Sequence, residues 1–422
     1  MHKKIPFFSF ISLIVAVVCL SVAWASPETA EKTASIAKTT PEPKRFVVRG
    51  TSLVDLESGK KVFFRGIGYS PFLPGDKTPL SGANPGDDDR YQDHFARIRE
   101  LGVNYLHVFP LHMQPGFFTE LDKTDLFYGQ DIWVHCCEED FLAEDFLQRT
   151  LAQIKDVIDH TYKVGRPDRL VLFSVGDELE AAAVARTDSR HPEVRNYQGK
   201  HVVVTNRTPT EVALARLIDG AIDYELTRYG RRHLYAHTSW THIGPVANRP
   251  DLEVDQKSIL VPDMGDLVCL NIYTYARGVV TSPPGSVTKT TYQGYLEDLA
   301  RMTDKPIMIT QVGLSTSPIA PKPWVVGFGG HRVEDVPAVF KSIWQDVRTA
   351  SGREKICGLV FFELHDEWWK SGEHAEDLTH HEKNDPEEWF GLYELGKNNR
   401  LVPKGNIPET VRAIFSEPSS NR

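Results

Sequence analysis

Residues 170–180 read LVLFSVGDELE. From Leu170 to Val175 the only polar residue is Ser174, and the run does not alternate apolar with polar. A strand of that kind suits a parallel sheet buried on both faces. It ends on Gly176 and two carboxylates, Asp177 and Glu178, ahead of an alanine-rich stretch. Seven further runs have the same character: VFFRGIGYS (62–70), VNYLHVFP (103–110), DIWVHCC (131–137), HLYAHTSW (233–240), LVCLNIYTY (267–275), PIMITQVG (306–313) and ICGLVFFEL (356–364). Amphipathic stretches lie between them. In FLAEDFLQRTLAQIKDVIDHTY, apolar residues recur at Phe146, Leu147, Leu151, Ile154, Val157 and Ile158, the period of a helix.

Eight such strands with helices between them close a (β/α)₈ barrel, an α/β fold that commonly takes a chain of this length as one domain. A doubly wound open sheet competes, but Gly66-Ile67-Gly68-Tyr69 after the first strand lacks the rest of a phosphate-binding fingerprint. No repeat of 20–50 residues suggests a solenoid. Ahead of the barrel, Phe46–Phe64 predicts a β-hairpin: a strand FVVRGTSLVDL, a turn at Glu57-Ser58-Gly59-Lys60, and a second strand KVFFRG.

The N-terminus adds a compartment. His2-Lys3-Lys4, a long apolar run and Ala23-Trp24-Ala25 read as an export signal over residues 1–25, cleaved after Ala25. An uncleaved anchor is the alternative, because the run is about long enough to span a bilayer. Residues 26–44 are polar and rich in Pro, Thr and Lys, which predicts a flexible tether, with the barrel domain over 45–416. The body of the protein is therefore expected outside the cytoplasm, periplasmic or secreted.

With 57 acidic against 48 basic residues the net charge is −9, which argues against a nucleic-acid partner and against binding anionic lipid through a basic patch. Five cysteines are too few to staple a chain this long. Cys269 and Cys357 lie in apolar strands and read as buried thiols, whereas the adjacent Cys136-Cys137 would form a vicinal bridge or ligate a metal. No zinc-type spacing accompanies them, and no metal or cofactor is expected. The ligand-rich stretch from Gly372 to His381 reads as a solvated loop, and Asp87-Asp88-Asp89 as the cap of a helix starting near Arg90.

In such a barrel the active site is built at the carboxyl ends of the strands. There the residues take on a resemblance to the clan A glycoside hydrolases. Arg65-Gly66-Ile67-Gly68-Tyr69-Ser70-Pro71 resembles that clan's first strand, and LVLFSVGDELE its fourth, where an apolar run ends in Asn-Glu and the Glu is the acid/base. The match implies that role for Glu178. CLNIYTY resembles the sixth strand and points to Tyr273. GLVFFELHDEWWK, followed by EEWFGLYEL, is similar to bacterial clan A tails and, more loosely, to fungal β-1,3-glucanosyltransferases. Read without the resemblance, Asp177 and Glu178 also suit a helix N-terminus, where acids are favourable.

Departures from that pattern matter as much. Strand seven should carry a nucleophilic Glu, and PIMITQVG places Gln311 there. Asp177 replaces the asparagine, and His107 stands where arginine is frequent. Three readings follow. An Asp177-Glu178 pair resembles the arrangement in β-N-acetylhexosaminidases, in which the sugar's own acetamido oxygen attacks. Alternatively Glu363, Asp366 or Glu367 holds a water for inversion, at a separation of about 6.5–9.5 Å from the acid. Or the barrel binds carbohydrate without cleaving it, on platforms such as Trp240, Tyr273, Tyr275, Trp368 and Trp369. His135, His237 and Asn271 complete the expected substrate-binding set. A carbohydrate is the expected partner under each reading.

Overall fold

The computed structural model describes residues 45–77, 79, 82–240, 263–273, 283–318, 330–370, 381–383 and 385–417. The expected signal, the tether, Tyr275 and the 372–380 stretch lie outside these residues.

The predicted hairpin is a three-stranded antiparallel sheet: β1 (Phe46–Arg49), β2 (Ser52–Asp55) and β3 (Lys60–Lys61). The segment expected as one strand reverses at Gly50-Thr51, where Gly50 takes a φ of +58° that favours glycine. The expected turn at 57–60 joins β2 to β3, with Gly59 N–H donating to Asp55 O at 2.8 Å.

Eight parallel strands then close a barrel in chain order. They are β4 (Phe64–Tyr69), β5 (Tyr105–Val108), β6 (Phe127–Ile132), β7 (Leu170–Asp177), β10 (Leu234–Trp240), β11 (Val268–Asn271), β12 (Ile307–Val312) and β13 (Ile356–Phe361). The third barrel strand starts four residues before the predicted run, so Trp133 to Cys137 form the loop that leaves it. The helices are α1 (Arg90–Glu100), α2 (Pro115–Leu121), α3 (Glu144–Lys163), α4 (Ala181–Arg190), α5 (Pro209–Tyr229), α6 (Thr291–Met302), α7 (Val336–Thr349) and α8 (Ile407–Ser416). Two short ribbons, β8 (Tyr197–Gln198) with β9 (Val203–Val204) and β14 (Tyr393–Leu395) with β15 (Leu401–Pro403), lie in the connections.

The helical period read between residues 141 and 162 forms α3. In α3, Phe146, Leu147, Ile154, Val157 and Ile158 are buried. A reciprocal capping box starts α5: Thr208 Oγ1 accepts from Glu211 N–H and Glu211 Oε2 from Thr208 N–H. The acidic run before α1 is used differently from expectation. Asp89 makes no side-chain cap; Asp88 instead accepts from Arg90 N–H at 3.0 Å and from its guanidinium, while Asp87 accepts from Gly116 N–H at the start of α2.

The barrel interior has two characters. Toward the amino ends of the strands, Phe46, Leu53, Phe64, Tyr105, Leu172, Leu234, Leu267 and Cys269 form one apolar cluster, so the N-terminal sheet plugs that end. Toward the carboxyl ends the inward side chains turn polar: Ser174 Oγ bonds Thr238 Oγ1 at 2.7 Å, and Thr310 Oγ1 donates to Asn271 Oδ1 at 2.8 Å.

Candidate active site

Two irregularities in the strands aim the site. Opposite His237 of β10, strand β7 carries two residues, Val175 and Gly176, because Ala236 pairs with Ser174 and Thr238 with Asp177. This bulge needs its glycine: Gly176 has φ +78°, and a Cβ there would lie 3.1 Å from the His237 ring. Glu178 follows with φ +48°, also left-handed, and its N–H donates to Thr238 O at 3.2 Å. The second bulge sets Thr310 and Gln311 of β12 against Asn271 alone, since Leu270 pairs with Ile309 and Asn271 with Gln311. Both consecutive side chains thereby reach the same network.

That network joins three strands. Asn271 is fully buried, and its amide donates to Asp177 Oδ1 at 2.9 Å and to Glu178 Oε1 at 2.7 Å. Gln311 Nε2 donates to Asp177 Oδ2 at 3.4 Å, and Gln311 Oε1 accepts from the Tyr273 hydroxyl at 2.9 Å. The structure thus brings together Asp177, Glu178, Asn271, Tyr273 and Gln311. Sequence reasoning missed Thr310, which holds the Asn271 amide in its orientation.

A third carboxyl lies close by. Asp131, near the end of β6, has no exposure, and neither oxygen has a hydrogen-bond partner among the described residues. Ile132 N–H, the Ser174 hydroxyl and Trp133 approach it without a well-formed bond. Burial pushes Asp131 up to about 8, with the Glu178 charge adding to it. Burial, then Asp131 and Glu178, raise Asp177 well above the usual carboxylate range, against the Asn271 hydrogen bond. Glu178 is also shifted upward by the surrounding protein. The Glu178 residue is nevertheless exposed, and solvent screens that shift.

The acidic end of β13 divides by partner. Asp366 is buried and accepts from Lys404 Nζ at 2.5 Å and Gly391 N–H at 3.0 Å. Glu367 pairs with Lys370 at 2.9 Å, and Lys370 also reaches Glu387 at 3.5 Å and lies 4.9 Å over the Phe362 ring. Burial opposes the Lys370 charge, but Glu367, Glu387 and Glu363 outweigh it and hold the ammonium above its ordinary value. Glu363, after the cis Phe362–Glu363 peptide, is buried with neither carboxyl oxygen partnered among the described residues. Burial, then Glu367, raises it well above the carboxylate range.

The remaining expected residues are spread more widely. His107 is buried against Tyr105, whose hydroxyl lies 3.1 Å from Nδ1, and burial lowers it to about 3. His237 contacts Val175 O at 2.8 Å through Nδ1 and is lowered to about 4 by burial. Both rings are neutral at pH 7. His135 is exposed on the loop after β6, and Trp240 is half-buried at the end of β10. Trp368 is half-buried and stacks on His381 at 5.1 Å, which stacks in turn on Trp389 at 3.4 Å. Trp369 is buried against Phe72. No group of three or more His, Cys, Asp or Glu among the described residues is arranged to hold a metal ion.

No protein-family model matches the chain, and no curated protein matches it. Solved structures do. A β-galacturonidase of the GH2 group from Eisenbergiella tayi, bound to galacturonate, is 14% identical, with a TM-score of 0.56 over 88% of this chain and 53% of its own. The β-glucuronidase from Ruminococcus gnavus is 11% identical, TM-score 0.57, covering 87% and 52%. Gas2p from Saccharomyces cerevisiae, in complex with laminaritetraose and laminaripentaose, is 12% identical, TM-score 0.51, covering 89% and 68%. The chain shares its barrel fold with glycoside hydrolases. It spans about half the length of the two bacterial enzymes.

Proposed function

We propose that the chain is an exported glycoside hydrolase or transglycosylase acting on an oligosaccharide or polysaccharide, with Glu178 as the general acid. One observation carries the reading: Glu178 is an exposed residue directly after barrel strand β7, and the Asn271 amide fixes its carboxyl at 2.7 Å. Surrounding protein raises its pKa, which favours the protonated form an acid catalyst needs. The likeness in fold to uronidases and to a laminari-oligosaccharide complex supports a carbohydrate ligand.

Gln311 is an amide at the expected nucleophile position and has no ionised oxygen to attack an anomeric carbon. The carboxyl beside Glu178 is Asp177, oriented by the amides of Asn271 and Gln311. This favours substrate assistance: the acetamido oxygen of an N-acetylated sugar attacks, Asp177 orients the acetamide, and Glu178 protonates the leaving oxygen. Such enzymes are established exceptions to the two-carboxylate scheme. Of the three acids considered for inversion, Asp366 and Glu367 are engaged by lysines and only Glu363 remains. Gln311 also motivates the second reading, a carbohydrate-binding barrel without turnover.

A panel of glycosides and oligosaccharides, assayed with wild type, Glu178→Gln, Asp177→Ala and Gln311→Glu, separates these. Turnover restricted to N-acetylated sugars and abolished in Asp177→Ala supports substrate assistance. Turnover on other sugars that survives Asp177→Ala overturns it. Binding without turnover in wild type supports the second reading.

A further inference from the structure

Cys136 and Cys137 stand on the loop between β6 and α3, and their sulfurs lie 2.9 Å apart as thiols. Cys137 is exposed and Cys136 half-buried. The loop is tied along its length by bonds that do not involve the sulfurs. Gln153 donates to Trp133 O, and Glu180 N–H donates to Cys136 O at 3.1 Å. Arg149 and Arg186 hold the Glu138 carboxylate and carbonyl, each at 3.3 Å. Arg190 donates to Glu139 O at 2.5 Å, His191 meets Asp140 at 2.8 Å, and Phe141 N–H donates to Thr187 Oγ1 at 2.9 Å. The proximity of the two thiols is therefore imposed by the surrounding backbone and salt bridges. Neither thiol has a role in the proposed chemistry.

We propose that Cys136 and Cys137 are a redox modification site, closed to a vicinal disulfide by exchange with a small-molecule or protein disulfide. Cys137 Sγ, as thiolate, attacks the external disulfide and displaces one thiolate. Cys136 then loses its proton to solvent, and its sulfur attacks Cys137 Sγ, displacing the second thiolate. One S–S bond breaks and one forms; the two chain thiols are oxidised and the co-reactant is reduced to two thiols. Exposure assigns the first attack to Cys137, and burial, which pushes the Cys136 thiol up to about 12, keeps that sulfur protonated until the second step. The bridge would immediately precede Glu138, and its Cys136 carbonyl anchors Glu180, two residues beyond Glu178. Closure would stiffen the loop carrying Trp133 and His135.

The test uses the whole purified protein, fully reduced and then equilibrated in buffers of oxidised and reduced glutathione, acid-quenched, alkylated and digested with trypsin. The peptide from Thr124 to Arg149 carries both cysteines. It should lose two hydrogens and resist alkylation, with a bridged-to-open ratio about tenfold higher in the native protein than in guanidinium, reflecting the preorganised loop. Cys136→Ser should stop at a stable mixed disulfide on Cys137, and Cys137→Ser should leave Cys136 slow to react. Amide exchange at Glu180 should slow in the bridged form. Mixed disulfide on the wild type that never closes, intermolecular bridging in its place, or equal ratios in native and unfolded chain would each overturn the proposal.

Discussion

Lys404→Met tests whether Asp366 serves the barrel's architecture rather than a ligand. Lys404 Nζ is almost fully enclosed and bonds Asp366 Oδ1 at 2.5 Å, Thr316 Oγ1 at 2.9 Å and Trp389 O at 3.1 Å. Even so, burial outweighs this partner and raises Asp366 from 3.8 to about 6. A raised carboxyl pKa is a cost of folding with a defined pH window. Below about pH 4 both folded and unfolded chains hold the proton and there is no cost. Between about 4 and 6 the cost grows at 1.36 kcal/mol per pH unit, and above that it levels near about 3 kcal/mol. Removing Lys404 moves the folded pKa further up, so the window widens toward neutral pH. The variant should lose about 3–5 kcal/mol at pH 7.5, the range for breaking a buried pair. At pH 5, where Asp366 is protonated, the loss should shrink to about 1–2 kcal/mol, the lost hydrogen bonds to Thr316 and Trp389. Urea unfolding followed by tryptophan fluorescence at both pH values measures it. Lys404→Met/Asp366→Asn should recover much of the loss at pH 7.5. A pH-independent loss, or a double variant equal to the sum of its singles, would refute the assignment.

Other perturbations follow from single contacts. Glu225 accepts from His233 N–H and Nδ1 and from the hydroxyls of Tyr162 and Tyr235, which hold its pKa below the ordinary value despite burial. Glu225→Gln should therefore cost about 3 kcal/mol at pH 7, with the difference from wild type fading as pH falls through the depressed pKa, read from acid-unfolding curves. A Cβ at Gly129 would fall 1.8 Å from the Tyr105 hydroxyl; Gly129→Ala should cost about 2 kcal/mol or more in thermal melts, partly relieved by Tyr105→Phe. Glu178→Gln should reduce turnover by about 100- to 10,000-fold on whatever glycoside the panel identifies. Gln311→Glu adds a carboxyl beside Asp177, so its melting temperature should fall as pH rises from 5 to 8, whereas Asp177→Asn/Gln311→Glu should melt close to wild type at both.

The barrel was legible because its signal is spread over the whole chain: eight apolar runs of strand length, each followed by a connection long enough for a helix, and a helical period as clear as that of α3. Local geometry was less so. Nothing in FVVRGTSLVDL distinguishes a continuous strand from one reversed at Gly50, because a lone glycine is compatible with both. The third strand was read too late because Trp133 and Val134 are as strand-prone as Phe127 and Tyr128, and burial on both faces removes the alternation that would fix the register. Asp131 is hidden for a different reason: its importance lies in standing on β6 beside the end of the neighbouring β7, near Asp177 and Glu178, a relation between strands that sequence spacing does not encode. The roles of Asp366 and Glu367 were equally hidden, since each depends on a lysine, one 38 residues away and the other three.

The two departures at positions 177 and 311 are better understood together than apart. The resemblance expects an amide before the acid on the fourth barrel strand and a carboxylate on the seventh. This chain has a carboxylate at Asp177 and an amide at Gln311, and the two side chains face each other at 3.4 Å. Donor and acceptor have changed places while the contact and the number of carboxylates are kept. The exchange has an electrostatic logic. Asp131 already lies buried nearby: burial and the Glu178 charge raise it, and burial, Asp131 and Glu178 together raise Asp177. A fourth acid at 311 would add to that repulsion, whereas the Gln311 amide donates toward Asp177 and favours its charge. The carboxyl that the resemblance places on strand β12 is thereby carried by Asp177 at the end of β7, next to Glu178. If Glu178 is the acid, as we propose, a carboxyl adjacent to it in sequence and sharing the Asn271 amide is poorly placed to attack from the opposite face of a sugar ring. Under the proposed function, that carboxyl would instead hold a polar substituent of the sugar, which is why we propose substrate assistance in preference to a covalent glycosyl intermediate.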